Sequence, residues 1–204
     1  MKKILAALLA AVMVLSLAAC GGSAAPAATE APAAAPAADA TTAAPATEAA
    51  GKVYTVGICQ LVTHDALDAA TQGFQDALVA KLGADNVKFD LQNAAGDSNT
   101  CATIANGFVA EGVDLIMANA TPALQAAVAA TADIPVLGTS VTEYGVALGI
   151  QDFNGTPGGN VSGTSDLAPL EDQAKMLQTW FPDAKKVGLL YCSAEPNSQY
   201  QVDV

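Results

Sequence analysis

Polar side chains lie at the predicted ends of buried strands, where a small ligand could be bound. Gln60 and His64 follow the first strand, Thr121 follows the third, and Ser140 and Thr142 follow the fourth. Their amide, imidazole and hydroxyl groups can donate or accept hydrogen bonds. His64 is the single histidine, so most acid–base or metal-binding sets are hard to assemble. The residue types favour binding over catalysis, and we expect neither a cofactor nor a metal.

A second polar group follows a later predicted strand. Its members are Ser193, Glu195, Asn197 and Ser198. Between the two groups lies the stretch 156–166, rich in Gly and hydroxyl residues, which lacks the lysine and the glycine order of phosphate-binding loops. We interpret this stretch as a flexible turn and domain crossover. Asp166, at its end, either pairs with a ligand ammonium group or only caps the following helix.

Two of the candidates have a structural explanation as well as a functional one. Thr121 and Pro122 fit an N-cap and a first helical residue, which would direct the N–H groups of Ala123 and Leu124 toward a ligand, yet capping alone also explains the pair. His64 lies between a strand end and a helix start. It either donates to a ligand or is a solvated loop residue.

Strands alternate with helices along the chain from residue 52. Short apolar runs predict the strands, and apolar stripes with helical spacing predict the helices. The alternation implies right-handed crossovers, and therefore an α/β fold with a parallel sheet and helices on both faces. The predicted strands are 53–59, 86–91, 113–118, 135–137 and 186–192, and the predicted helices are 65–83, 99–111, 121–131 and 169–181.

The N-terminal fifty residues have the composition of an export signal and a tether. Lys2 and Lys3 precede an apolar run over 4–19, which is too short to span a bilayer as a helix. The run ends at Cys20 in a sequence that resembles the lipobox of bacterial lipoproteins, so 1–19 is predicted to be a signal peptide and Cys20 to be lipidated. Residues 20–51 are rich in Ala, Pro and Thr, which predicts a disordered tether.

Charge and cysteine content limit the remaining function classes. The net charge is −12, with eight lysines and no arginine, so nucleic acid is an unsuitable partner. A ligand carboxylate would have to be held by Lys, hydroxyl or backbone N–H groups. Cys59, Cys101 and Cys192 are an odd set, which argues against a disulfide framework. Cys101 shares a helical stripe with apolar residues, which predicts burial, and the other two are predicted to end strands.

Four segments together resemble the substrate-binding lipoproteins of ABC importers related to the tryptophan/tyrosine-type binding protein. They are 57–70 (GICQLVTHDALDAA), 114–123 (DLIMANATPA), 157–166 (PGGNVSGTSD) and 187–198 (VGLLYCSAEPNS). The chain departs from the expected pattern at Cys59 and Cys192, where an aliphatic and a polar residue are expected.

The resemblance implies a type I periplasmic-binding fold with two α/β lobes that close on an amino-acid-like ligand. Residues 52–164 would form the first lobe with its crossover, and 165–204 the start of a second, truncated lobe. It further implies an extracytoplasmic protein anchored to the membrane by lipid, which delivers its ligand to a permease driven by a separate ATPase. The implied ligand contacts are Gln60, His64, Thr121, Ser140 or Thr142, Asp166, Ser193, Glu195, Asn197 and Ser198.

Three other functions remain open from the sequence. The same two-lobed domain could present a ligand to a receptor as a sensor module, or it could bind a sugar. An exported α/β enzyme would need an acid–base pair at the strand ends, for which His64 and Asp65 are the adjacent candidates. The leading prediction is an ABC-importer binding protein for an aromatic or other apolar amino acid.

Overall fold

The computed structural model describes residues 51–204. The signal peptide predicted over 1–19, the lipidation predicted at Cys20 and nearly all of the tether predicted over 20–51 lie outside the described residues. Those assignments stay predictions.

Five parallel strands form one sheet, which confirms the predicted α/β class. The spatial order of the strands is β2-β1-β3-β4-β5, and every named pairing is parallel. At the centre, Ile58 of β1 pairs with Met117 of β3. The strands are β1 (Tyr54–Gln60), β2 (Val87–Asn93), β3 (Leu115–Asn119), β4 (Val136–Val141) and β5 (Val161–Ser165).

Six helices connect or follow the strands. The first three and the fifth confirm the four predicted helices to within one residue at every boundary. A short 3₁₀ turn (Ala84–Asn86) precedes β2. His64 and Asp97 cap the first two helices by accepting from backbone N–H groups. The helices are α1 (Asp65–Leu82), α2 (Ser98–Glu111), α3 (Thr121–Ala130), α4 (Tyr144–Leu148), α5 (Leu170–Trp180) and α6 (Pro196–Asp203).

Helices cover both faces of the sheet, as predicted. Because successive side chains of a strand point to opposite faces, Val56 and Ile58 of β1 pack on one side with Phe74 and Leu78 of α1. Cys59 points to the other side, where its cluster includes residues of α2 and α3. The two clusters are the hydrophobic core, and they hold the strand ends in place.

Gly57 permits α2 to approach β1 closely. A Cβ added at Gly57 would lie 2.6 Å from Cγ of Phe108, a fully buried residue of α2. Real side chains do not approach so closely, so the contact requires glycine at this position.

Three elements lie outside the predicted ranges. The helix α4 follows β4, the helix α6 ends the described region, and β5 forms within the stretch 156–166, which was expected to be a flexible turn. Strand β5 pairs with β4, with Gly163 beside Gly138. A Cβ at Gly163 would overlap the carbonyl of Gly138 and the hydroxyl of Tyr144, so a residue usually found in turns is needed here to build the edge of the sheet.

The strand predicted over 186–192 is wrong. The segment is irregular, Leu190 is fully exposed, and no strand within 51–204 pairs with it. A strand depends on a neighbour for its backbone hydrogen bonds, so its apolar run alone is insufficient. Cys192 therefore lies in an exposed irregular segment and does not end a strand.

Across residues 51–204, no helix combines the length and the apolar character needed to cross a membrane.

Candidate functional site

The candidate site lies at the carboxyl edge of the sheet. Strand β1 lies between β2 and β3, and the helices that leave β1 and β3 pack on opposite faces. This divergence opens a crevice outside the strand ends, where open α/β sheets bind ligands. Gln60 ends β1 and Asn119 ends β3, and the two residues are register partners.

Gln60 is held rigidly by hydrogen bonds. Its side chain is buried, and its Nε2 donates to the Val62 carbonyl at 2.9 Å and to Oδ1 of Asp68 at 2.5 Å. Its Oε1 accepts from the Thr71 hydroxyl at 2.7 Å. Each named donor and acceptor of the amide is engaged with the first turns of α1. Gln60 therefore orients this edge of the crevice.

Asn119 extends the same network and leaves one acceptor unused. Its side chain is fully buried, and its Nδ2 donates to the Leu67 carbonyl at 2.8 Å and to the Thr71 hydroxyl at 3.0 Å. Its Oδ1 is buried and has no hydrogen-bond partner within the described residues. Such an acceptor costs about 1–3 kcal/mol unless a donor satisfies it.

A polar pocket of about 430 Å³ opens beside this network. Its volume falls in the range of small-molecule sites. Among its lining residues only Gln60 was a predicted ligand contact. Asp68 and Thr71, which bond Gln60, were missed, and the available signal was the polar Thr71 within the buried stripe of α1. The lining residues are Gln60, Thr63, Asp68, Thr71, Gln72, Gln75, Leu91 and Asn93.

The backbone is strained at three points along the same edge. Ala95, just after β2, has φ 52°, and Ala120, which follows β3, has φ 94° and ψ 160°. Ser140 has φ 54° where the β4–β5 register shifts. Non-glycine residues in such conformations cost about 1–3 kcal/mol each, and they concentrate at functional sites. The strain is consistent with a site at the ends of β3 and β4.

The start of α3 differs from the prediction. Ala120 is the N-cap residue and provides no side-chain cap, whereas Thr121 and Pro122 are the first helical residues. The Leu124 N–H donates to the Ala120 carbonyl at 3.0 Å. The expectation that this N–H faces a ligand is therefore wrong, because the first helical hydrogen bond uses it.

Asn197 joins α6 to the loops after β3 and β4. It is buried, and its amide lies 2.7 Å from the hydroxyl of Thr121. In the amide orientation that satisfies the surrounding groups, its nitrogen donates to the Glu143 carbonyl at 2.9 Å and its oxygen accepts from the Thr142 N–H at 3.3 Å. The structure thus brings together the candidates Thr121, Thr142 and Asn197.

The remaining first-lobe candidates are more open to solvent. His64 is exposed, and its Nδ1 accepts from the Ala66 N–H at 3.2 Å, which makes it the cap of α1. Ser140 is half-buried. Asp166 is exposed and follows β5. Burial, and then the negative charge of Asp166, raise the pKa of Tyr144 to about 12.

The candidates around α6 do not converge on one point. Ser193 is exposed, Glu195 is the N-cap residue of α6 without a side-chain bond, and Ser198 is half-buried. Ser198 lines a pocket of about 460 Å³ with residues of the irregular segment before α6. No hydrogen bond within 51–204 joins Gln60 or His64 to Asn197.

Metal binding finds no support in the part of the chain that the structure describes. No group of three or more His, Cys, Asp or Glu side chains is arranged to hold an ion there. The chemistry at the strand ends is that of hydrogen bonding through amides, hydroxyls and carboxylates.

Comparison with known proteins identifies relatives of this chain. The family described as ABC transporter substrate binding protein matches residues 55–204. A protein of Clostridioides difficile (strain R20291) described as tyrosine-binding protein is 46% identical over 154 residues, covering 74% of this chain and 44% of that protein.

Solved structures of similar proteins are also found among the relatives. An ABC domain from Streptococcus pneumoniae, in complex with L-Trp, is 38% identical with a TM-score of 0.69. The ligand-free, open structure of a Clostridium difficile substrate-binding protein with adhesive properties is 43% identical with a TM-score of 0.59. Each match covers 74% of this chain and 52% of the other. The chain therefore spans about half the length of the relatives it matches.

Proposed function

The chain belongs to the ABC transporter substrate-binding protein family, and on that premise we propose that it captures a free amino acid with an aromatic side chain. The observation that carries the proposal is the 46% identity to a tyrosine-binding protein. The relative solved with L-Trp supports the same ligand class. These relatives are binding proteins, which supports the expectation that the chain is not an enzyme.

The carboxyl edge of the sheet suits the zwitterionic part of an amino acid. An acceptor for an ammonium group is available in the exposed Asp166 carboxylate. The chain contains no arginine, so the ligand carboxylate would be held by hydroxyl and backbone N–H groups, including those near Ser140. We propose that the predicted contact residues bind this ligand directly or, like Gln60, hold neighbouring groups at the carboxyl edge of the sheet in position.

The proposal includes delivery and location. We infer that the Cys20 thiol is acylated before residues 1–19 are removed, that the domain is held on the extracytoplasmic face, and that its ligand passes to a permease driven by a separate ATPase. Membership in an ABC transporter family supports the permease and ATPase. The lipobox-like sequence ending at Cys20 supports the anchor.

Calorimetric titration of the purified chain tests the ligand. We expect L-Tyr, L-Trp or L-Phe to bind, while glucose and L-Asp produce no saturable heat. Binding of sugars alone, or of no amino acid, would overturn the proposal for this chain.

A matched pair of variants tests the position of the site. Asp166→Asn removes a charged acceptor that makes no named side-chain hydrogen bond, so we expect at least about a tenfold loss of affinity with the fold intact. Asp133→Asn, at the opposite end of the sheet, is the control and should bind as the parent chain does. Equal affinities for the two variants would remove Asp166 from the site.

Metabolic labelling with a palmitate analogue tests the anchor. The chain expressed with its signal in a bacterium should be labelled, and Cys20→Ala should not be. Cys192→Ala is the matched control, which should keep the label. Labelling of Cys20→Ala would contradict lipidation at that position.

A further inference from the structure

Two fully buried cysteines lie on neighbouring elements, one on β1 and one on α2. Cys59, near the end of β1, and Cys101, in the first turn of α2, each have no exposed surface and belong to the same hydrophobic cluster. The third cysteine of the described region, Cys192, is exposed. The sequence analysis treated the three as an unpaired odd set.

The register of β1 and α2 places the two side chains opposite one another. Gly57 faces Phe108 so closely that a Cβ added at Gly57 would lie 2.6 Å from the Phe108 ring. Cys59 is two residues further along β1 and so points to the same face, and Cys101 is two helical turns before Phe108 on the same helix face. The helix α2 runs antiparallel to β1, as a right-handed crossover requires. The step from Gly57 to Cys59 along β1 and the step from Phe108 back to Cys101 along α2 therefore both lead toward the carboxyl edge of the sheet.

The close approach at Gly57 also shortens the gap that a disulfide has to bridge. Helices usually pack on sheets with side chains of both elements between them, but Gly57 contributes none. The influence of the Cys101 thiol, and then burial, raise the pKa of the Cys59 thiol, in keeping with the facing positions of the two side chains.

We propose that Cys59 and Cys101 form a disulfide that links the end of β1 to the start of α2. The pairing goes beyond the proposed binding function. It depends on export only for the oxidising environment in which disulfides form and persist.

The oxidant is a small or protein disulfide, such as glutathione disulfide. The thiolate of one of the two cysteines attacks one sulfur of that disulfide, which forms a mixed disulfide and releases one thiolate that takes up a proton. The thiolate of the other cysteine then attacks the protein sulfur of the mixed disulfide, and the second thiol leaves. Two protein thiols are oxidised and one disulfide is reduced to two thiols. Because both cysteines are buried in the fold, the reaction takes place during folding.

Refolding followed by mass spectrometry tests the pairing. The full chain with Cys20→Ser is unfolded with reductant, refolded with glutathione and glutathione disulfide, denatured and alkylated with N-ethylmaleimide. We expect one alkylation, at Cys192, and three after reduction. Cleavage after lysine should leave the peptide 53–81 joined to 89–175. Three alkylations without reduction, or a link that involves Cys192, would overturn the proposal whether or not the chain is exported.

Thermal unfolding provides the second measurement. The disulfide would close a loop of about 40 residues, and reducing it should lower the melting temperature by about 10 °C. Cys101→Ala should show no dependence on reductant, and Cys192→Ala should keep the full dependence. A parent chain that melts at the same temperature with and without reductant would contradict the link, as would a dependence retained by Cys101→Ala.

Discussion

The side-chain amide of Asn197 lies 2.7 Å from the hydroxyl of Thr121, although 76 residues separate them in the sequence. Both side chains are buried, and Asn197 also bonds backbone groups of the loop after β4. This contact anchors α6 at the carboxyl edge of the sheet, next to the candidate site. The position of α6, which also packs against α4, therefore depends in part on one polar residue of that helix.

We expect Asn197→Ala to release α6. The substitution leaves buried polar groups of Thr121, Thr142 and Glu143 without a partner, which costs about 1–3 kcal/mol. Amide hydrogen exchange over Pro196–Asp203 should accelerate accordingly. The control is Gln199→Ala on the same helix, whose amide bonds only the exposed Asp203. Equal exchange in both variants would contradict the anchoring role.

Thr71 is the centre of the network under the candidate site. Its hydroxyl donates to Gln60 and accepts from Asn119. Thr71→Val keeps the shape but removes both bonds, so we expect a loss of about 2 kcal/mol in the free energy of unfolding by urea. Thr71→Ser retains the hydroxyl and should lose less than half of that. A smaller effect for valine than for serine would contradict the network.

The phenol of Tyr144 should lower the free energy of unfolding at alkaline pH. Burial, and then the Asp166 carboxylate, raise its pKa to about 12 from the usual 10.0. Between these values the folded state keeps a proton that the unfolded chain loses, so the free energy of unfolding falls as pH rises from about 10 to about 12, by about 2 kcal/mol.

The control for this pH dependence is Tyr144→Phe. It loses the hydrogen bond to the Thr164 carbonyl, seen at 3.2 Å, which should cost about 1 kcal/mol at neutral pH. Its stability should then fall less steeply than that of the parent chain across the alkaline window. Parallel curves of urea midpoint against pH would show that the titration belongs to other groups.

Gly57 and Gly73 should respond in opposite ways to alanine. A methyl group at Gly57 would lie 2.6–2.8 Å from atoms of the Phe108 ring, whereas nothing lies within 4 Å of one at Gly73 in α1. We expect Gly57→Ala to destabilise by about 1–3 kcal/mol through overpacking. Gly73→Ala should stabilise by about 0.5–1 kcal/mol through helix propensity. Urea unfolding of both variants checks the pair, and equal stabilities would argue against close packing of α2 on β1.

The local hydrophobic pattern was sufficient to predict the central strands and helices of the fold. The apolar runs of β1 and β3 and the stripes of α1 and α2 follow from periods of two and 3.6 residues, which each segment carries by itself. The edge strand β5 was missed because its Gly, Ser and Thr residues are typical of turns. Its pairing with β4 depends on the space that Gly138 and Gly163 leave for Tyr144. The apolar run over 186–192 was misassigned for the opposite reason, since no described strand pairs with it.

Part of the candidate site was likewise predictable from the sequence, and part was decided by the tertiary structure. Sequence alone placed Gln60 and Thr121 at strand ends, because the strand–helix alternation marks where each strand stops. It also excluded an arginine clamp and most catalytic sets by residue type. Only the tertiary structure joined Thr121 to Asn197, and set Cys59 opposite Cys101. Those contacts depend on strand order and helix packing, which are decided by distant parts of the chain meeting in one core and leave no periodic signal within a single segment.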